Sequence, residues 1–325
     1  MKKIFIFIFF LLCASNVFAQ TERQLTVSEI RQQTVLNEPL TLQKGYFYIN
    51  PQFNYLIFST DYYNNDWKKV PSYAYQSNIF LIPFSITYGL SNNLQISVQS
   101  NYEYSFSSYS YKDLDYYKPE RTKYVEYNKL GKGFNDLSLT AEYKLVDQKS
   151  KLPAMAMGMS ITIPYGKKEP SLSDDGEIIY TSTSGGYYAL SFIYGVKKVF
   201  YPFSVSAFAM YDHHFPTDLK LHYNDSAKLH IKYGDHFEIM ANINYLPSDW
   251  IALQSTFLFS RNASTDYGDD PIYKYSGNPT VYFKWEPKLT FQIRNIRLSQ
   301  GISFYLKAKN SNADPMAFIS LGIKI

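Results

Sequence analysis

Apolar and polar residues alternate one by one along most of this chain. Over residues 93–105, Leu94, Ile96, Val98, Tyr102 and Tyr104 share one parity, and Gln95, Ser97, Gln99, Asn101 and Glu103 share the other. A period of two belongs to a strand with one apolar and one polar face. The pattern recurs at Leu137, Leu139, Ala141, Tyr143 and Leu145, with Ser138, Thr140, Glu142 and Lys144 opposed. It recurs again at Phe237, Ile239, Ala241, Ile243 and Tyr245, against Glu238, Asn242 and Asn244. From Val281 to Ile293 every odd position is apolar, with Lys284, Glu286, Lys288, Thr290 and Gln292 between. Soluble strands usually hold about 5–6 residues, whereas a tilted strand crossing a bilayer needs about 9–11. Most of these runs are of the longer kind.

Turns fall where the phase of alternation flips. Odd positions are apolar through Ile293, then even positions take over at Ile296, Leu298, Ile302, Phe304 and Leu306. A one-residue slip reverses every side chain, so the chain must turn near Arg294-Asn295. The same reasoning gives twelve segments: 45–59, 73–88, 93–106, 134–146, 153–165, 186–198, 202–213, 234–246, 250–262, 278–293, 296–308 and 315–325. Short connections alternate with long ones at 60–72, 107–133, 166–185, 214–233 and 263–277, although the last on that side, 309–314, is short. This predicts an all-β fold, a transmembrane antiparallel up-and-down β-barrel of about twelve strands with both termini periplasmic. Hydrocarbon offers backbone groups no partners, so a sheet crossing it must close on itself.

Composition fits that reading. Of 325 residues, 32 are Tyr, 24 Phe and 3 Trp, yet mean hydropathy is −0.27. An apolar outer face and a polar lumen produce that combination. On this topology Tyr88, Tyr143, Tyr194, Tyr245 and Trp250 face outward near one rim, and Tyr102, Tyr104, Tyr165, Tyr188 and Tyr211 near the other. Such aromatic girdles sit at the headgroup level of a membrane. Apart from the extreme N-terminus, no run of about 18 apolar residues exists, which excludes a helical membrane protein. Net charge is +4, too balanced for a nucleic-acid partner.

The N-terminus reads as an export signal. Lys2 and Lys3 precede an apolar stretch from Ile4 to Leu12, and Val17-Phe18-Ala19 places small or β-branched residues before a cut at Gln20. Leu12 is too bulky to make Cys13, the single cysteine, a lipidation site. The expected organisation is a signal peptide over 1–19, a polar periplasmic N-terminal segment over 20–44 and an outer-membrane β-barrel over 45–325. The compartment is the outer membrane of a diderm, Gram-negative bacterium.

Three stretches carry a family resemblance: Tyr88-Gly89-Leu90-Ser91-Asn92-Asn93-Leu94-Gln95-Ile96, Gly131-Lys132-Gly133-Phe134-Asn135-Asp136-Leu137-Ser138-Leu139, and Pro153-Ala154 through Ile163-Pro164-Tyr165-Gly166. They resemble the outer-membrane barrel family labelled after the meta-pathway of phenol degradation, with FadL-like hydrophobic-compound channels as a distant analogue. The resemblance spans most of Gly45 to Ile325. It implies a channel or uptake role for small, often hydrophobic compounds. The chain departs from the pattern at Tyr165, at Asn135 and at its last residue, Ile325, where such barrels usually end in an aromatic.

Candidate chemistry is thin. All five histidines (His213, His214, His222, His230, His236) lie within 24 positions. No cysteine and no helical H-x-x-x-H accompany them, so they are read as solvated loop residues, with no metal and no cofactor. No His is followed two positions later by Ser, and no enzyme activity is expected. The lumen-facing candidates are Glu103, Glu142, Lys144, Glu238, Asn242, Lys284, Glu286, Lys288, Arg297 and Lys307, a mixed-sign set of the kind that tunes pore selectivity. Ala154, Ala156, Gly158, Ser160 and Thr162 also point inward, which predicts a small cavity or lateral groove beside them. The long segment 107–133 carries Tyr109, Tyr111, Tyr116, Tyr117, Tyr124 and Tyr127, a composition suited to binding. The expected function is passive passage of small, hydrophobic or aromatic solutes by a monomeric, porin-like barrel. Outer-membrane lipid and the barrel assembly machinery are its expected partners. The competing class is a non-transporting surface protein that binds a ligand through its tyrosine-rich loops.

Overall fold

A computed structural model describes residues 41–324 apart from 43, 59–60, 64–65, 72–75, 114–122, 148–151, 174–177, 201, 221–227, 249, 269–277, 294 and 313–314. The export signal, most of the N-terminal segment, His222, Tyr116, Tyr117 and Ile325 lie outside the described residues. Among those described there is no helix.

Twelve strands close the barrel: β1 (Phe47–Phe58), β2 (Gln76–Gly89), β3 (Leu94–Asp113), β4 (Leu137–Val146), β5 (Ala154–Ile163) and β6 (Ala189–Phe200), then β7 (Phe203–His214), β8 (His236–Ser248), β9 (Ile251–Asn262), β10 (Thr280–Ile293), β11 (Ile296–Lys309) and β12 (Met316–Lys324). Each pairs antiparallel with its neighbour in sequence, and β12 returns to β1, so the sheet has no open edge in the barrel wall. Short turns join the strands at one end. At Ser91, for example, the side-chain oxygen accepts the backbone N–H groups of Asn93 and Leu94 at 3.2 and 3.0 Å. Just before β1, the Leu42 N–H donates to Gln95 Oε1 at 2.7 Å, tying the N-terminal segment to the foot of β3.

The two faces are inverted relative to a soluble protein. Enclosed residues are chiefly polar, with Ser204, Ser206, Asn242, Asn244, Thr256, Ser260, Thr290 and Ser299 buried. Exposed residues are large and apolar, among them Ile96, Val98, Leu139, Met157, Ile161, Phe192, Ile243, Phe257 and Leu306. A sandwich core would place these sets the other way round. A closed sheet with a polar inside and an apolar outside is built to stand in hydrocarbon. The outer face also satisfies its own polar groups, since Trp285 Nε1 donates to Ser255 Oγ at 2.8 Å.

One region departs from the simple meander. β3 runs 20 residues, and its upper half (Tyr102–Asp113) pairs with an extension strand, Lys123–Phe134. Its lower half pairs with β4. The extension and β4 are therefore one long strand broken at Asn135-Asp136, where the Asn135 N–H still reaches Asn101 O at 2.8 Å. Residues 123–133 and the upper part of β3 from 107 onward, expected as loop, thus continue the ladder. On the far edge of the extension lies Ile178–Tyr180, in parallel, followed by Ser171–Leu172. Lower down the neighbours of β4 are β5 and then β6. The segment leaving β5 and the segment entering β6 therefore exchange places, and they meet where the N–H groups of Thr183 and Ser184 bond to Lys167 O at 2.9 and 3.0 Å.

Candidate functional site: the barrel lumen

The side chains facing inward are read from the register, because directly opposed residues share a face. Near the short-turn end the lumen wall is a hydroxyl and amide mesh. Asn244 Nδ2 donates to Ser204 Oγ at 3.0 Å, Thr256 Oγ1 to Asn242 Oδ1 at 2.6 Å and Thr140 Oγ1 to Ser160 Oγ at 2.9 Å. These bonds satisfy groups that would otherwise be costly to enclose.

Above that mesh lies an apolar band. Ile193 on β6 opposes Met210 on β7; Phe208 opposes Met240 on β8; Met240 opposes Leu258 on β9. All five side chains are half-buried and have the parity of the enclosed serines and asparagines beside them, so they line the lumen. Charge on the inward parity does not pick them out. The signal was present, since apolar residues on the polar face of four consecutive strands interrupt the alternation.

A polar cluster borders the band. His236 Nδ1 lies 2.7 Å from Asp212 Oδ2, and His236 Nε2 lies 2.9 Å from Ser260 Oγ. Three adjacent strands supply these residues, with Asp212 opposite His236 and Ser260 opposite Glu238. The order Asp–His–Ser is that of a nucleophilic triad. Ser260, however, is 0% exposed, and the Tyr282 side chain also bonds to it. In this arrangement its hydroxyl is enclosed in the wall.

The other charged candidates are dispersed. Gln95 Nε2 donates to Glu142 Oε2 at 2.6 Å, and Lys144 pairs with Asp147 at 2.7 Å near the turn. Ser105 Oγ donates to Glu103 Oε1 at 2.7 Å. Lys284, Glu286 and Lys288 follow one another down the inner face of β10, opposite Leu258, Thr256 and Gln254. The Lys284 ammonium lies 4.8 and 4.5 Å from the ring centres of Tyr282 and Tyr305. Arg297 is buried, its guanidinium 5.7 Å from the Tyr48 ring.

Lys307 corrects the inward expectation. A bulge between Phe283 and Lys284 shifts the register, so Lys307 lies opposite outward-facing Phe283, and Ala308 takes the enclosed face opposite Tyr282. One extra residue flips every side chain above it. The Lys307 ammonium instead sits 5.2 Å from the Trp67 ring. The space expected beside Ala154, Ala156 and Gly158 is also filled. A Cβ on Gly158 would come within 2.8 Å of Glu142 Cγ, so the glutamate occupies what the small residues leave. An apolar groove of about 870 Å³ does exist elsewhere in the wall, lined by outward-facing Phe53, Phe80, Leu253, Ile302 and Ile319 together with the buried Asn54 and Phe318.

On that outer face stand the aromatics singled out from the sequence. Tyr104, Tyr143, Tyr165, Tyr188, Tyr194, Tyr211, Tyr245 and Trp250 are exposed, and Tyr88 and Tyr102 are half-buried against Phe47 and Phe134.

At the strand crossing, the Thr183 hydroxyl donates to Phe134 O at 2.8 Å and Gly185 N to Asp136 Oδ2 at 3.0 Å, while the Ser184 hydroxyl bonds to Asp136 Oδ1. The residues quoted for the family resemblance, Phe134, Asp136 and Gly166, meet here. The partners of Phe134 and Asp136, Thr183 to Gly185, do not stand out as a motif because they lie about 50 positions downstream.

The other described histidines lie at the end of β7 (His213 and His214) and in the segment between β7 and β8 (His230). His213 Nδ1 lies 3.1 Å from Asp235 Oδ1, and His230 Nδ1 lies 2.8 Å from Asp218 Oδ1. Burial works against charge on Asp235, but the Tyr211 hydroxyl, the His214 N–H and His213 outweigh it and hold its carboxyl below the ordinary range. Tyr233, packed on Tyr187 with ring centres 4.6 Å apart, is pushed up to about 12 by burial, with Tyr267, Tyr187 and Asp136 adding to it. Among the described residues no group of three or more His, Cys, Asp or Glu side chains is arranged to hold a metal.

Fold and lumen together define a closed antiparallel barrel of the outer-membrane type. No family model and no curated protein matches the chain, so the family resemblance rests on the motifs quoted above. Among solved structures it is similar to an outer-membrane channel from Pseudomonas putida F1, with 12% identity over 88% of this chain and 98% of that one, at a TM-score of 0.66. A monoaromatic hydrocarbon channel matches at 9% identity over 93% and 94% of the two chains, with a TM-score of 0.46. The toluene transporter of Ralstonia pickettii matches at 10% identity over 90% and 93%, with a TM-score of 0.45. The first of these shows that the barrel fold is shared.

Proposed function

We propose that the chain is an outer-membrane channel through which small apolar solutes pass passively. The observation that carries this reading is the apolar band of Ile193, Phe208, Met210, Met240 and Leu258 inside an otherwise polar lumen. A channel for hydrophilic solutes gains nothing from five apolar side chains in two adjacent rows of the lumen wall. A solute with apolar surface exchanges water for them, at about 25 cal/mol per Å². The exported precursor, the periplasmic termini, the monomeric state and assembly by the barrel machinery belong to the same reading. So do the outward aromatics as interface anchors and the inward charges as selectivity elements.

The experiment is planar-bilayer conductance of the refolded protein with a panel of aromatic and aliphatic solutes. Aromatic solutes are expected to interrupt the salt current in the wild type, and Met240→Asp should abolish the interruptions while leaving the salt current in place. Refolded barrel that carries no current, and that no solute affects, would defeat the channel reading.

A further inference from the structure

We propose that the lumenal site favours small apolar amines, protonated at nitrogen, over neutral or anionic solutes of the same shape. The inference rests on the channel reading and names the solute class for the same site. It starts from Glu238. This residue lies directly opposite Met210 and two positions from Met240 on the inner face of β8, at the edge of the apolar band. Residues two apart on a strand are about 7 Å apart. An ammonium at Glu238 therefore leaves a short apolar body lying against Met240, Phe208 and Leu258.

The neighbouring acids have cations closer by, although Asp212 Oδ1 itself has no hydrogen-bond partner among the described residues. Asp212 holds His236 Nδ1 at 2.7 Å. Glu286 lies between Lys284 and Lys288 on one strand face, and the Lys284 ammonium rests over the rings of Tyr282 and Tyr305. Glu238 is different. Its nearest ionic neighbour is His236 Nε2 at 3.9 Å, beyond hydrogen-bond reach, and that nitrogen already faces Ser260. With a side chain only 15% exposed, Glu238 is an acceptor left without a hydrogen-bonded donor among the described residues. A partly enclosed carboxylate of this kind gains most from a charged donor, because charge-assisted bonds strengthen as water is excluded. An alcohol offers a weaker donor, and a carboxylate solute would be repelled.

Benzylammonium, benzyl alcohol and benzoate share one ring and differ in the head group, so their binding to refolded protein in detergent, measured by titration calorimetry, isolates the effect. Benzylammonium is expected to bind about tenfold more tightly than the alcohol, equivalent to about 1.4 kcal/mol, and benzoate most weakly. In Glu238→Gln, which keeps the shape and removes the charge, the amine should fall to the affinity of the alcohol. Phe208→Ser should weaken amine and alcohol alike. Equal binding of amine and alcohol by the wild type overturns the proposal, as does an unchanged preference in Glu238→Gln. If the glutamine variant fails to assemble, the wild-type ranking decides alone. Loss of the ranking with aromatic block of the current intact defeats this inference only. A barrel that carries no current but keeps the ranking defeats the channel reading only.

Discussion

Gly166 sits where two chain segments cross, and the space around it is gone. A Cβ at this position would lie 2.2 Å from Phe134 O and 2.8 Å from Thr183 Oγ1, so even alanine must push backbone apart. Overpacking of this kind costs about 1–3 kcal/mol. Gly166→Ala should therefore lower the urea midpoint for loss of heat-modifiable migration on gels. Asp136→Ala should do the same by orphaning the Ser184 hydroxyl and the Gly185 N–H, at about 1–3 kcal/mol. An unchanged midpoint in both variants would show that the crossing contributes nothing to stability. At this scale alternation assigns Glu142, Glu238, Lys284 and Arg297 a shared parity with the polar residues of their strands. It fails at Lys307, where a bulge that no residue announces turns the side chain outward. It is also blind to diagonal side-chain contacts across a hairpin, such as His236 with Ser260.

The twelve strands were legible as elements because a lipid-facing strand must keep its apolar residues on one parity for its whole length. Their observed limits differ from the expected ones by a few residues, as at β6, expected over 186–198 and found over Ala189–Phe200. The elements missed are those the bilayer does not discipline. The extension strand and Ile178–Tyr180 rise beyond the regular wall, where both faces tolerate mixed residues and alternation fades. The β7–β8 loop has its own chemistry. Because Asp235 is held below the ordinary carboxylate range, it stabilises the folded loop above about pH 4, the unfolded value. That contribution is lost as pH falls through the depressed folded value. Hydrogen exchange across residues 214–236 should thus accelerate at pH 3 relative to pH 6 in the wild type, after correction for intrinsic rates. In Asp235→Asn it should be fast at both. A loop equally protected at both pH values in the wild type would contradict the role given to Asp235.

For the whole molecule, polar side chains are enclosed and apolar ones exposed, and the wall closes on itself. That inversion follows from the alternation that dominates the sequence. What alternation does not convey is the content of the lumen, because charge drew the reading to Glu103, Lys288 and Arg297 while the apolar band lay among residues of unremarkable type. The band makes transport of apolar solutes the central claim, and its most direct test is uptake by cells. Diderm cells lacking the protein, cells expressing it and cells expressing Met240→Asp at equal surface levels are given a labelled monoaromatic hydrocarbon at a concentration where entry is limiting. The account predicts faster initial uptake with the wild type and a return to the background rate with Met240→Asp. Uptake that is the same in all three would contradict it.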